Sequence, residues 1–486
     1  MIGVNELFQK AYGATAPKEL PAVSVRGICV DSRKTEKGDL FIAIRGVKSD
    51  GAAFIEDAVR RGASAVVAEG AAPAQLSVPF IAVTDDRDAA ARLASAFYDF
   101  PSRALKVIGL TGTNGKTTTS FIIEHLLKKR GEVPGVIGTV NYRYAGTVIP
   151  AVETTPGPLA LQRLFSDMKR AGTRTVVMEV SAHALDQGRV SGVEFETALF
   201  TNLTQDHLDY FKGFEDYFEA KAKLFRALAP GKTAVLNADD AWCVKLKESL
   251  KCRTLTFGLY SNADIFASDI VYEKNRTLFT LTASGRSVPV TSPLVGTHNV
   301  YNALAALAAL QASGYDAREM ASGLADFAGV PGRLEPVDCG QEFSVFIDYA
   351  HTPDGLEKVL SSLKPTAKNR LFVVFGCGGD RDRAKRPKMG VVASRFCDHV
   401  YLTSDNPRSE DPQAIIEEIK AGFPEGFNNY TVVIDRKKAI RQAFLLARRD
   451  DTVLLAGKGH ETSQVIGDRV LPFSEKEEAE KILSGR

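Results

Sequence analysis

The stretch Val107-Ile-Gly-Leu-Thr-Gly-Thr-Asn-Gly-Lys-Thr-Thr118 constrains this chain more than any other, because an apolar strand runs directly into a glycine turn and then a helix. Gly112 and Gly115 let main-chain N–H groups approach phosphate oxygens, with Thr113, Asn114 and Thr118 completing the loop. Lys116 offers a mobile cation to β- and γ-phosphates, and the Thr117 hydroxyl suits Mg²⁺. The apolar run at 121–127 suits the helix that must follow. The usual G-x-x-x-x-G-K-[ST] spacing requires glycine at position 110, where this chain has Leu110. The loop is therefore the variant T-G-T-N-G-K-T, which belongs to a narrower class of ATP users.

A single phosphate loop accounts for one domain, and 486 residues predict about three at roughly 150 residues each. The apolar runs divide accordingly. Residues 1–103 read as a smaller α/β unit, with strands near 40–44 and 65–68, a helix near 53–61 and a hinge at Pro101 and Ser102. Residues 104–330 read as a central ATP-binding domain whose strands near 107, 175–180, 198–201 and 233–236 alternate with helices, the mark of a doubly wound, mainly parallel sheet. Residues 331–486 read as a Rossmann-like α/β domain with strands near 345–347, 370–375, 399–403, 432–434 and 452–456. The tail at 475–481 reads as a solvated helix face. Such sheets bind ligands at the carboxyl ends of their strands.

Composition narrows the partners. A net charge of +2 from 61 basic and 59 acidic residues gives no bulk reason to bind nucleic acid or membrane. The longest apolar helix candidate, 303–310, falls far short of the ~20 residues that span a bilayer. Six scattered cysteines without a C-x-x-C pair, and no secretory signal, predict reduced thiols in the cytoplasm.

The polar motifs lie where the strands end. Glu179 closes one, as a carboxylate that holds Mg²⁺ would, and Ser181, Gln187 and Arg189 follow with groups suited to an anionic sugar-nucleotide or peptide. His207 stands between Asp206 and Asp209, acids that could orient it as a metal ligand. Residues 213–228 form an amphipathic helix on whose apolar stripe Lys221 falls, whereas Lys223 does not. A lysine there either snorkels or is held neutral, and a neutral amine can take up CO₂ to become an anionic carbamate. From the residues alone, snorkelling is the simpler reading. In the last third, a glycine turn carries Arg381, Arg383, Lys385 and Arg386, a set suited to anions. Asp405 and Glu461 offer carboxylates to an ammonium, while Arg381 and Arg408 offer guanidinium groups to a carboxylate.

Taken together, Asp31-Ser-Arg33, the loop at 111–117, Glu153-Thr-Thr-Pro156, the runs at 179–185 and 206–209, Ala220-Lys221, His298-Asn299 with Asn302, Pro331-Gly-Arg333, the run at 348–351, Asp405-Asn-Pro-Arg408 and the run at 457–461 resemble the Mur ligases of bacterial peptidoglycan synthesis, over nearly the whole chain. The resemblance implies an N-terminal domain for UDP, a central ATPase and a C-terminal domain for the incoming amino acid. Ser32 would contact the UDP-sugar, and Thr154, Thr155, Ser181, Gln187 and Arg189 the muramoyl-dipeptide. Asn299, Asn302, Arg333 and Asp348 would lie near ATP. Lys221 falls where the family carries a carbamylated lysine, which with Glu179 and His207 would hold a second Mg²⁺, Thr117 serving the first. Asp405, Asn406, Pro407 and Arg408 resemble the form associated with meso-diaminopimelate, with Arg381, Gly457 and Glu461 as the remaining contacts; Arg408 would bind the distal carboxylate that lysine lacks. The implied enzyme is a monomer that activates the D-glutamyl carboxylate of UDP-N-acetylmuramoyl-L-Ala-D-Glu as an acyl phosphate. The alternatives are a lysine-adding ligase of the same family, or a protein that uses ATP only as a regulatory switch.

Overall fold

The computed structural model describes residues 1–46, 50–206, 210–260, 262–273, 276–365 and 367–485. Three sheets carry the fold. The first is four-stranded and wholly parallel, ordered Gly27–Cys29, Asp39–Ala43, Ala65–Glu69 and Phe80–Val83.

The second, of eleven strands, is built around Lys106–Thr111, which pairs in parallel with Thr175–Glu179 on one side and Thr197–Phe200 on the other. These strands are buried on both faces, and alternate side chains enter two different cores. Ile108, Leu110, Val177 and Leu199 meet the helices Lys116–Lys129 and Thr297–Ala312. Val107, Val176, Met178 and Phe200 meet Pro158–Arg170 and Phe214–Arg226. The register sets Glu179 beside Leu110 and Phe200 beside Thr111, so the chain leaves all three strands at one edge. Both flanks of this sheet are antiparallel: the hairpin Asn141–Tyr144/Thr147–Pro150, and a meander from Ile265–Tyr272 through Thr277–Ala283 to Arg286–Ser292.

The third sheet runs Glu335–Pro336, Ser344–Asp348, Thr452–Ala456, Leu371–Phe375, His399–Leu402 and Tyr430–Val432, parallel except at its first pair. Its last strand lies two residues earlier than the 432–434 run predicts.

Two expectations change. Pro101 and Ser102 form no free hinge: both are buried in the turn Pro101–Ala104, where the Ser102 hydroxyl accepts the Glu194 N–H at 3.2 Å. Nor is the tail wholly solvated, because Glu475, at the start of the helix Glu475–Leu483, is fully buried against Arg436.

Candidate active site

The phosphate loop leaves its strand under tight steric control. Gly112 has φ 137°, and a β-carbon there would come within 1.9 Å of Thr201 Oγ1; at Gly115, φ 88°, it would meet Asn302 Oδ1 at 2.3 Å. Only glycine fits either place without displacing the neighbour. The exit of the adjacent strand braces the loop, since Thr201 Oγ1 donates to Asn114 O at 2.6 Å and Asn202 Oδ1 accepts Asn114 N–H at 3.1 Å. Lys116 curls back, its Nζ donating to Gly112 O at 2.8 Å and Thr113 O at 2.9 Å. Its ammonium is held where phosphate would replace those carbonyls, and burial pulls its pKa below the usual lysine value.

Glu179 organises the next layer. Thr117 Oγ1 and Thr139 Oγ1 each donate to its Oε2 at 3.0 Å, and Thr139 N–H donates to Oε1 at 3.0 Å. The hydroxyls of Thr139 and Thr154 lie 3.2 Å apart. Thr155 Oγ1 donates to Glu179 O at 2.8 Å and accepts from Ser181 N–H at 3.0 Å. Arg189 joins the same cluster, donating to Thr155 O and to Gln187 Oε1 and pairing with Glu153 at 2.6 Å.

Lys221 does not snorkel. It is 1% exposed, its Nζ donates to Gly112 O at 2.9 Å and sits 4.4 Å above the Tyr217 ring. Burial first, and the neighbouring Lys116 charge second, push its pKa well below the ordinary lysine value, favouring the neutral amine. His207 lies outside the described residues.

A cavity of about 500 Å³ opens over this edge, a size suited to a nucleotide-sized ligand. Residues 113–118, Thr139, Thr154, Glu179 and Ser181 line it from the central unit together with Asn299 and Asn302; Arg333, Asp348, His351 and Lys358 line it from the C-terminal unit. Asn302 Nδ2 donates to Asn299 Oδ1 at 3.0 Å. The Asp348 carboxylate accepts the N–H groups of Leu334 and Ala350, and burial raises its pKa to about 6 against the opposing pull of Arg333. Asp354 Oδ2 crosses between the units, accepting from Asn114 Nδ2 at 2.5 Å, Thr204 Oγ1 at 2.9 Å and Lys358 Nζ at 2.9 Å.

Gly112, Lys221, Thr155, Gln187 and Arg189 stand behind or beside this cavity rather than on its lining. Ser32 is apart from it, buried at the start of the turn Ser32–Lys34, where its hydroxyl helps hold Asp57 in the ionised form.

The expected amino-acid residues gather elsewhere, at the carboxyl ends of Leu371–Phe375, His399–Leu402 and Thr452–Ala456. Asn406 Nδ2 donates to Glu461 Oε2 at 2.9 Å, and Arg408 Nη1 to Gly379 O at 2.7 Å. A β-carbon on Gly457 would come within 2.8 Å of Asp405 Oδ2, and Pro407 O packs so closely on Gly379 that no side chain fits there. Arg381 is exposed on the neighbouring turn. Arg383 and Arg386 are taken up by carboxylates of the chain itself: Arg383 pairs with Glu418, and the fully buried Arg386 pairs with Glu410 at 2.8 Å and Glu418 at 2.9 Å. The Glu418 pairs fasten Arg383 and the start of the helix Lys385–Phe396 to the helix Pro412–Lys420.

Sequence reasoning overlooks Thr139, which follows a strand of only three residues, and gives no role to Asp354, at the end of the run 348–354, whose partners lie 150 and 240 residues away. It also overlooks Lys458, fully buried and donating to Asn406 Oδ1 at 3.1 Å and Glu461 Oε2 at 2.8 Å. Its place between Gly457 and Glu461 was the available signal.

Three family models match successive parts of the chain: Mur ligase family, catalytic domain, at residues 24–98; Mur ligase middle domain at 110–310; and Mur ligase, glutamate ligase domain, at 332–459. A UDP-N-acetylmuramoyl-L-alanyl-D-glutamate--2,6-diaminopimelate ligase from Gloeobacter violaceus is 46% identical over 471 residues, 96% of each chain. One of the same name from Bacillus cereus is 45% identical over 476 residues, 97% of this chain and 96% of its own. A solved structure of a ligase of that name matches with a TM-score of 0.71 and 35% identity over 98% of both chains. With similarity running through all three units and over 96% of its length, this chain belongs to the Mur ligase family.

Proposed function

We propose that this protein joins meso-2,6-diaminopimelate to the D-glutamyl carboxylate of UDP-N-acetylmuramoyl-L-Ala-D-Glu at the expense of ATP, in the synthesis of peptidoglycan precursors. One observation carries this reading. A phosphate-loop cavity and a cluster of opposed carboxylate and guanidinium groups stand at the strand ends of two linked α/β units. Relatives of 45–46% identity over nearly the whole chain bear the name of that ligase.

The chemistry proceeds in two displacements. An oxygen of the D-glutamyl carboxylate attacks the γ-phosphorus of ATP, giving an acyl phosphate and ADP; the amine of diaminopimelate then attacks the acyl carbon, releasing phosphate and a proton. The loop amides at 112–118 cradle the phosphates, and Lys116 turns from the Gly112 and Thr113 carbonyls to the β/γ oxygens. Asn299, Asn302, Arg333 and Asp348 surround the rest of the nucleotide, while Thr154, Thr155, Ser181, Gln187 and Arg189 orient the dipeptide and Ser32 contacts the UDP end.

The donors fit Mg²⁺, because the Thr117 hydroxyl, for the first ion, and the Glu179 carboxylate, for the second, are hard oxygen ligands on the same edge, 3.0 Å apart. When bound, Mg²⁺ supplies charge neutralisation to phosphoryl transfer. The Lys221 amine, held toward neutrality, adds to the carbon of CO₂ and loses a proton, becoming a carbamate. Its oxygens would join Glu179 and His207 as ligands.

Arg408 binds the distal carboxylate of diaminopimelate, Asp405 and Glu461 its distal ammonium, and Arg381, Asn406, Pro407 and Gly457 shape the pocket around them. Among the described residues no helix is long and apolar enough to cross a membrane, and all six cysteines are free. On this reading the protein is a monomer in the cytoplasm, where ATP is supplied and free thiols stay reduced. Phosphate release should require both UDP-N-acetylmuramoyl-L-Ala-D-Glu and diaminopimelate. Steady ATP hydrolysis with neither present would favour a nucleotide switch instead.

A further inference from the structure

Beneath the amino-acid loops lies a cation that the ligation chemistry leaves unused. Arg436 opens the helix Arg436–Leu446 and is 1% exposed. Its Nη2 donates to Ala456 O at 2.7 Å and its Nη1 reaches Ser404 O at 3.4 Å. Those two carbonyls belong to the residues immediately before Gly457 and Asp405, the roots of the two loops that face the amino acid. Glu475 meets the charge, accepting from Nε at 2.9 Å and Nη2 at 2.6 Å, and neither side chain has exposed area.

A buried ion pair is a weak device for stability alone, since an apolar pair of the same volume often serves as well. What a guanidinium adds is a rigid planar fork that reaches two carbonyls and a carboxylate at once, which the single ammonium of lysine does not. The roots it joins leave little slack: a β-carbon at Gly457 would stand 2.8 Å from Asp405 Oδ2. Higher up, Lys458 bridges Asn406 and Glu461, and Gln464 Nε2 donates to Asp405 O at 2.7 Å. The two loops are thus cross-braced at their tips and at their roots.

Resting on the diaminopimelate reading, we infer that Arg436, held by Glu475, is a positioning residue that sets the separation of the 405–408 and 457–461 loops and so the selection of the amino-acid substrate. It acts through the backbone and touches no substrate.

Steady-state ligation by the full-length Arg436→Lys and Glu475→Gln variants tests this. Arg436→Lys keeps the charge and loses the fork. The KM for diaminopimelate should rise about tenfold and the preference for diaminopimelate over lysine should fall by a similar factor, while the KM values for ATP and the UDP-dipeptide stay within about twofold. Glu475→Gln should shift the same parameters in the same direction by about threefold. A folded variant in which all three KM values rise together, or none moves, overturns the inference. If Arg436→Lys fails to unfold cooperatively, Glu475→Gln decides on the same terms; if neither folds, the pair is a core element and the inference falls. Wild-type enzyme that does not ligate diaminopimelate sinks the functional reading instead, before any variant is compared.

Discussion

Lys221 is an amine with almost no access to water, sharing the Gly112 carbonyl with a second lysine, Lys116. Burial and that like charge both favour loss of its proton, and the neutral fraction grows as pH rises. Replacing Lys221 with alanine should abolish ligation, and short carboxylates should restore part of it; full activity of Lys221→Ala would remove the carbamate from the account. In the wild type, ¹³C-bicarbonate should give a carbamate resonance that Lys221→Ala lacks. The sequence shows that Lys221 sits on an apolar stripe, because helical periodicity is local. It does not show which group the amine meets, since Gly112 lies 109 residues earlier. The same blindness explains Arg386 and Glu475, whose charges suggest solvent until the distant partners Glu410, Glu418 and Arg436 are in view.

At the scale of elements, the central parallel strands were legible as uninterrupted apolar runs, because both of their faces are covered, whereas the shorter or more polar parallel strands Gly27–Cys29, Phe80–Val83, Gly135–Ile137 and Arg253–Gly258 were not. Nor were the antiparallel flanks. In Thr277–Ala283 buried and half-exposed positions alternate, and threonines at 277, 280 and 282 interrupt the apolar residues, so no apolar run marks the strand. Helix starts carry their own chemistry. His298 lies in the first turn of Thr297–Ala312, where burial, aided by the Lys358 charge, lowers its pKa to about 4. It is neutral in the fold, so between pH 6.5 and about 4 the unfolded chain takes up a proton that the fold refuses. Stability therefore falls with pH across that window, by up to about 3 kcal/mol from this residue. The difference in Tm between wild type and His298→Gln should change in the variant's favour from pH 7 to pH 4.5; a constant difference would show that His298 titrates normally.

Across the whole molecule, Asp354 ties the C-terminal unit to the phosphate loop through Asn114 and Thr204. It also sets an anion beside the place where phosphates bind. Asp354→Asn keeps hydrogen-bonding capacity and removes the charge, so ATP should bind about threefold more tightly by calorimetry; weaker binding would mean that the link matters more than the repulsion. The central claim concerns what the assembled units make. Offered UDP-N-acetylmuramoyl-L-Ala-D-Glu, ATP and Mg²⁺ with equal diaminopimelate and lysine, the enzyme should yield the diaminopimelate product almost alone by mass spectrometry, and Arg408→Ala should lose that preference. A product dominated by lysine, or a preference unchanged in Arg408→Ala, would contradict the account.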